Sequence, residues 1–105
     1  MEFSTKVGDT RNALKATLTT ASGETPADVD TIFFRMSNTL FVNIIDRAVD
    51  IEALPEVGVI FTADEVAEAG NYYGEFLLTY TDGKIETYPN VGYIKITIEK
   101  NVGGA

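Results

Sequence analysis

The chain has 105 residues, 45% of them hydrophobic and 23% charged, which suffices for one small domain with a single core and leaves no room for a second. It contains no histidine and no cysteine, which excludes disulfides, thiolate nucleophiles and most transition-metal ligand sets. A net charge of −8 would repel a phosphate backbone, so we expect no nucleic acid as a partner.

The sequence shows no targeting or membrane segment. The N-terminal residues lack a basic segment followed by an apolar stretch, and no apolar window reaches the length of a membrane span. We therefore expect no membrane partner and an unprocessed chain, located in the cytoplasm or in a particle that is assembled there. Residues 100–105 have nothing to bury and are expected to form a flexible tail or to dock on a partner.

Alternation of apolar and polar side chains predicts the first two strands. The segment NALKATLTT places its inward residues at Leu14, Ala16 and Leu18, and TIFFRM places them at Ile32, Phe34 and Met36. The stretch between them, ASGETPAD, is rich in turn formers, and Pro26 cannot donate a hydrogen bond to a sheet.

The middle of the chain carries weaker signals. Residues 40–49, LFVNIIDRAV, follow an expected turn at 37–39 and are rich in β-branched side chains, which favours a strand. DIEALPEVG is expected to be a loop or short edge segment, and VGVIFT a short strand. TADEVAEAG is the best helical candidate, with Thr62 or Asp64 as its cap and Gly70 as its stop, and its length allows one or two turns.

A β-hairpin gives the strongest local signal. Two alternating runs, NYYGEFLLTY and IETYP, are joined through Asp82-Gly83, a pair that favours a type I′ turn. The first run lines one face with Tyr72, Gly74, Phe76, Leu78 and Tyr80. After a turn at PNVG, the last strand YIKITIEK directs Ile94, Ile96 and Ile98 inward.

Seven or eight short strands with at most one short helix predict an all-β fold. We interpret residues 1–105 as a single immunoglobulin-like antiparallel β-sandwich. The spacing of Glu68, Gly70 and Tyr72 fits a tyrosine corner, in which a tyrosine hydroxyl near the start of strand F bonds an upstream backbone group. Gly74 then takes the place of the second cysteine of antibody domains. The alternative is a helix stop followed by a strand, and in both cases Tyr72 is structural.

The order of several motifs resembles the N-terminal immunoglobulin-like domain of phage baseplate upper proteins and related tailed-virus virion modules. The resemblance covers nearly the whole chain. It is carried by Gly8 and Asp9; Val29, Ile32, Phe34 and Met36; Asp64, Ala69, Gly70 and Tyr72; the hairpin Asp82 to Pro89; and the final strand Gly92 to Ile98.

The resemblance implies a noncatalytic building block of a virus particle, with other virion proteins as partners. Members of that family usually continue into further domains that bind receptor-binding proteins, whereas this sequence ends at Ala105. Two locations in the virion therefore stay open, a baseplate or tail module and a decoration or turret subunit of the capsid.

Carboxylates near residue 65 are the only candidates for chemistry. Asp64, Glu65 and Glu68 could form an acid and base pair or a calcium site. However, no Asp-x-Asp-x-Asp loop is present, and acidic runs of this kind usually face solvent or a helix N-terminus. We expect no enzymatic activity, no catalytic or metal-binding residues and no cofactor.

Aromatic and apolar side chains are expected on the outer faces of the strands. The set consists of Phe33, Phe41, Tyr73, Leu77, Tyr88 and Tyr93. Clustered aromatic side chains on an outer face favour a protein interface, and we expect a homo-oligomer. The alternative is a carbohydrate or cell-surface recognition module, in which Tyr73, Tyr88 and Tyr93 stack on sugar rings.

Overall fold

The fold is given by a computed structural model that describes residues 1–102. The strands are β1 Glu2–Lys6, β2 Ala13–Thr17, β3 Val29–Asn38, β4 Asn43–Ala48, β5 Glu56–Ile60, β6 Gly70–Tyr80, β7 Ile85–Tyr88 and β8 Ile94–Glu99. Residues 103–105 of the predicted flexible tail lie outside the described residues. In the described part of this tail, the Asn101 side chain donates a hydrogen bond to the carbonyl of Val7 at 3.3 Å.

The strands form two sheets, and the arrangement is consistent with the predicted β-sandwich. The larger sheet has the order β1-β8-β6-β3-β4, with β7 also paired to β6, and the smaller sheet consists of β2 and β5. All pairs are antiparallel except β1 and β8, which run parallel. The expectation of a purely antiparallel fold is therefore wrong at this one pair.

The core lies between the two sheets, where the alternation placed it. The inward residues predicted for the first two strands and the last one are each at most 6% exposed. Phe34 is fully buried and packs its ring against Phe76 and Phe61 at centroid distances of 5.3 and 5.9 Å. Burial of this apolar surface is the main stabilising term of the fold.

β1 is a strand that the sequence did not reveal. Phe3 packs against the core and Thr5 is buried, but Ser4 and Thr5 are polar, so the segment shows no clear hydrophobic period. Its register pairs Glu2 with Lys95 and Lys6 with Glu99. The strand therefore depends on its tertiary pairing with β8.

The predicted short helix is absent from residues 1–102, although its start signal is present. The amide of Glu65 donates to the Thr62 hydroxyl at 3.3 Å, and the amide of Thr62 donates to the Glu65 carboxylate at 2.9 Å. This reciprocal pair is a capping box, but only one turn follows. Val66 must enter the core and β6 begins at Gly70, so a helix stop at Gly70 was the wrong expectation.

The β6–β7 hairpin differs from the predicted turn by one residue. The Gly83 amide donates to the Tyr80 carbonyl at 2.9 Å, the Tyr80 amide donates to the Lys84 carbonyl at 2.8 Å, and Gly83 has φ +88°. This is a three-residue loop with a bulge at Gly83, not a type I′ turn. Asp82 and Gly83 are both in the loop, as predicted.

The turn type decides which face Tyr88 occupies. A two-residue turn would pair Tyr88 with Leu77 on the outer face, whereas the observed register pairs it with Phe76. Tyr88 therefore packs against the core, and its predicted position on the outer face is wrong. A shift of one residue moves a side chain to the opposite face of a sheet.

β7 and β8 together form one interrupted strand beside β6. β7 pairs with Phe76 to Thr79 of β6, and β8 pairs with Gly70 to Gly74. Residues 89–93 form the interruption between them. Such interruptions bend a strand and change the direction of a side chain. Tyr93 is the last residue of this interruption.

Candidate functional site

The turn of the β3–β4 hairpin begins at Asn38. The Phe41 amide donates to the Asn38 carbonyl at 3.0 Å, and the Asn38 amide donates to the Val42 carbonyl at 3.1 Å. The Asn38 side chain fixes the loop further, since its Oδ1 accepts from the amides of Leu40 and Val42 at 2.9 and 3.1 Å. The expected turn at 37–39 is therefore shifted by two residues, and β4 begins at Asn43.

Phe41 has a backbone conformation that bulky residues rarely adopt. Its φ is +62°, in the left-handed region that favours glycine. Holding a residue with a side chain there costs about 1–2 kcal/mol. Strain of this kind often accompanies function, because the surrounding structure must maintain it.

Three aromatic rings meet on the outer face of the larger sheet. Phe41 comes from the β3–β4 turn, Tyr93 from the interruption before β8, and Tyr73 from the middle strand β6. The ring centroids lie 5.4 Å apart for Phe41 and Tyr73, 5.7 Å for Phe41 and Tyr93, and 5.0 Å for Tyr73 and Tyr93. Two irregular backbone segments thus converge on one place.

The three rings are exposed together with three aliphatic neighbours. Phe41 is 61% exposed and Tyr93 45%, and from the same hairpin Leu40, Val42 and Ile44 are 81%, 56% and 47% exposed. We call these six residues, including the partly exposed Tyr73, the aromatic patch. Single exposed apolar side chains are common, but here three exposed rings contact one another and Leu40 and Val42 flank Phe41 in the chain, an arrangement that is typical of interaction surfaces.

Charged side chains border the aromatic patch on one side. Arg35 is paired in register with Asp46 on β4 and Glu75 on β6, and its Nε lies 3.6 Å from Asp46 Oδ1. That nitrogen is buried and has no hydrogen-bond partner. A groove of about 180 Å³ lies between these residues and the rings. It is smaller than a typical small-molecule pocket.

Of the six residues predicted for an interface, the structure brings three together: Phe41, Tyr73 and Tyr93. Phe33 and Leu77 form a cross-strand pair on the same outer face, beyond the pair of Arg35 and Glu75. Tyr88 faces the core instead.

Leu40, Val42 and Ile44 were not among the residues predicted for the interface, although the sequence contains a signal for them. Residues 36–45 contain no charged side chain in a chain that is 23% charged, and the same holds for residues 87–94. Two uncharged segments that supply neighbouring exposed side chains would have pointed to this surface.

The predicted corner residues lie around the start of β6, where the buried Tyr72 directly precedes Tyr73 and faces the core instead of the outer face. The hydroxyl of Tyr72 donates to the backbone carbonyl of Glu68 at 2.8 Å, which is the hydrogen bond that a tyrosine corner requires. Burial, and secondly the charge of Glu68, raise the pKa of this hydroxyl, so it stays protonated and able to donate. A Cβ added at Gly70 would lie 3.6 Å from the Tyr72 ring.

Gly74 is required by close packing. A Cβ at this position would lie 2.8 Å from Ile96 Cδ1 and 3.2 Å from Phe34 Cε1. The core therefore fills the space beside Gly74 with a β8 aliphatic chain and a β3 ring.

Of the carboxylates near residue 65, Glu65 links β4 to the segment after β5. Arg47 Nε donates to Glu65 Oε2 at 2.7 Å, and Arg47 Nη2 donates to Glu65 Oε1 at 3.0 Å and to the Ile60 carbonyl at 2.8 Å. Burial alone would raise the pKa of Glu65, but the hydrogen bonds from Arg47 and from Thr62 outweigh it and lower the pKa. Residues 1–102 contain no group of three acidic side chains close enough to hold a metal ion.

A larger groove lies on the other side of the molecule. It has a volume of about 480 Å³ and runs over the outer face of β2 and β5, with Lys15, Glu56 and Gly58 among its lining residues. Its lining residues include no aromatic side chain. The aromatic patch is therefore the stronger candidate.

Two further observations bear on identity. In the part of the chain that the structure covers, no helix is long and apolar enough to cross a membrane. Comparison with models of protein families gives no match, and neither does comparison with curated proteins, so the resemblance to virion modules rests on the motifs quoted above alone.

Proposed function

We propose that this protein is a noncatalytic structural subunit of a tailed-virus particle, which binds its neighbours in the particle, other virion proteins or further copies of this chain, through the aromatic patch and repeats as a symmetric oligomer. The observation that carries this proposal is the convergence of Phe41 and Tyr93 on Tyr73 from two irregular segments. The three rings lie on the outer face and are not part of the core cluster. A contact between these rings and another protein would explain why the strained conformation of Phe41 is maintained.

The strand order supports an immunoglobulin-like sandwich as the scaffold. In that fold strands G, F and C share one sheet, C′ extends it in variable-type domains, and B and E lie in the other. The order β8-β6-β3-β4 corresponds to G-F-C-C′, and the pair β2 and β5 corresponds to B and E. The hydrogen bond from Tyr72 to Glu68 then falls at the start of strand F, where the corner belongs.

Phe34 strengthens this correspondence. Antibody domains pack a strand C tryptophan against the disulfide between strands B and F. Here the buried Phe34 on β3 fills that place beside Gly74 on β6. Apolar side chains thus fill the place that the disulfide takes in antibody domains. Unlike a disulfide, they do not require an oxidising compartment to form.

Imaging of the particle tests the proposal. Electron microscopy of purified virions of the virus that encodes this chain should reveal the eight-strand domain at symmetry-related positions, with Phe41 and Tyr93 against a neighbour. The location of the density would separate a capsid subunit from a tail or baseplate module. Particles that never contain the chain would contradict the proposal.

Carbohydrate recognition is the second candidate, because the groove beside Tyr73 and Tyr93 combines aromatic rings with the polar groups of Arg35 and Glu75. Tyr88 is no longer part of such a site, since it packs on the core. A glycan array decides this candidate. Saturable binding that is lost in Tyr93→Ala, with Ile85→Ala as the control, would favour it over the structural role.

A further inference from the structure

We propose that a second copy of this chain covers the aromatic patch, in a dimer whose two-fold axis passes through the patch. The inference rests on the proposed protein-binding role of this surface and names its occupant. Three properties of the patch favour this occupant: the charge around it, the apolar area that it exposes, and the positions of the segments that form it.

Charge favours a second copy as the occupant. The chain carries −8 overall, so two copies repel each other on most faces. The segments 36–45 and 87–94 are uncharged, and the nearest charges in the register are Arg35 and Lys95 against Glu2, Asp46 and Glu75. This border carries both signs in nearly equal number, and most of the excess of carboxylates lies outside it.

A border with both signs can face its own copy with opposite charges opposed, which a border of one sign cannot. A basic partner, in contrast, would be attracted to the acidic remainder of the surface rather than to this area, where the two signs nearly balance. The aromatic patch is thus the place where two acidic chains can approach with the least repulsion.

The exposed area is sufficient for a stable dimer. Leu40, Phe41, Val42, Ile44 and Tyr93 are 45% to 81% exposed, and Tyr73 adds to them. With about 150–250 Å² for a whole aromatic side chain, the patch offers on the order of 600 Å² of apolar surface. A standard interface buries about 800 Å² per partner, of which about 60% is apolar.

The origin of the patch fits two-fold symmetry. The three rings form a triangle with centroid distances of 5.0 to 5.7 Å over the middle strand β6, and the segments that supply Phe41 and Tyr93 approach it from opposite sides in the strand order. A two-fold axis near Tyr73 places Phe41 of each copy within reach of Tyr93 of the other. Isologous contacts of this type are the commonest way in which proteins form dimers.

The test is sedimentation equilibrium of the isolated protein from about 1 μM to about 1 mM. We expect the wild type to dimerise and Phe41→Gly to weaken dimerisation at least about tenfold, as expected for a central aromatic contact. Glycine suits the backbone at this position, so the variant should fold. Tyr93→Ser is the second variant, with the same expected loss. Ile60→Ser is the matched control, because Ile60 is 68% exposed on the outer face of β5 and lies outside the patch.

Salt provides a separate readout. Salt screens both the attraction between opposite charges across the mixed border and the repulsion between two chains of net charge −8. The repulsion is the larger of the two, so raising the ionic strength from about 0.01 to about 1 M should strengthen the dimer. Dimerisation that weakens with salt would overturn the charge argument.

A wild type that stays monomeric up to the highest concentration would overturn the proposal, and so would a dimer that Phe41→Gly leaves unchanged. Neither result bears on the presence of the chain in virions, which microscopy of particles decides independently.

Discussion

The β3–β4 and β6–β7 hairpins close with the same pair of backbone hydrogen bonds but differ at one position. In each, the amide of the last loop residue donates to the carbonyl at the end of the first strand, at 3.0 Å for Phe41 and 2.9 Å for Gly83. Both residues have positive φ, +62° and +88°. Residues Thr20 to Glu24 repeat the pattern with Gly23 at the same position. Glycine is the unstrained solution, and only the β3–β4 turn departs from it.

The surroundings explain the difference. A Cβ added at Gly83 would have no atom within 4 Å, so a side chain there would gain no contact. At Phe41 the ring contacts Tyr73 and Tyr93. The β6–β7 loop therefore has an unstrained glycine at this position. The β3–β4 loop has a strained phenylalanine there, whose ring makes contacts on the outer face.

The largest effect is expected from Gly74→Val, which disturbs the strand on which both hairpins depend. The added side chain would meet Ile96 Cδ1 at 2.8 Å from its Cβ, and we expect a loss of about 3 kcal/mol in the free energy of unfolding, measured with urea. Gly58→Val is the control, because nothing lies within 4 Å of its Cβ. If the two variants were equally stable, the side chains around Gly74 would have moved to accommodate the valine without cost.

Gly83→Val should convert the unstrained hairpin into a strained one without any compensating contact. We expect a loss of about 1–2 kcal/mol in urea unfolding. Gly83→Asn is the control, since asparagine tolerates positive φ, and it should lose less. If the valine variant lost nothing, the loop would have another conformation in solution.

Glu65→Gln tests the far end of the β3–β4 hairpin, where Arg47 of β4 is held. The folded-state pKa of Glu65 lies below the ordinary value of 4.5, so its contribution is present above about that pH and is lost as the pH falls through the folded pKa. We expect a loss of about 1 kcal/mol at pH 7, discounted because Arg47 is 38% exposed.

Urea unfolding of wild type and Glu65→Gln at pH 7 and in acid measures this dependence. The difference between the two should shrink in acid, while the exposed Asp64→Asn control should match the wild type at both values. If the difference in the free energy of unfolding between wild type and Glu65→Gln did not change with pH, the ion pair with Arg47 would not be its cause.

The smallest effect is expected from Phe41→Gly. Relief of the backbone strain offsets the lost ring contacts, so the stability should stay within about 1 kcal/mol of the wild type. Phe41→Ala keeps the strain and loses the ring, and should be about 1 kcal/mol less stable than the glycine variant. Alanine as stable as glycine would show that the left-handed conformation is not maintained.

The sequence allowed the core to be predicted because a buried face imposes a strict period. The inward positions of the strands that contain Leu14, Phe34 and Ile96 were read correctly from two-residue alternation. The hairpin at Asp82 and Gly83 was also correctly placed, because glycine marks positive φ whatever the turn type.

Features that depend on one residue or on tertiary pairing could not be predicted from the sequence. One extra loop residue moved Tyr88 to the core face, and no pattern within the hairpin distinguishes the two turn types. Phe41 could be expected on an outer face, but not in a left-handed conformation that phenylalanine disfavours. β1 has too few apolar residues for a visible period, and its position follows from pairing with β8 alone.

The parallel arrangement of β1 and β8 has a practical effect on how the protein is handled. The Met1 carbonyl accepts a hydrogen bond from the Lys95 amide at 2.9 Å, and Lys95 is the register partner of Tyr73. A fluorophore or carrier protein attached before Met1 would therefore emerge next to the three rings and shield them. A label placed beyond Glu99 leaves from the opposite end of the same two strands, where it can report an encounter without blocking it.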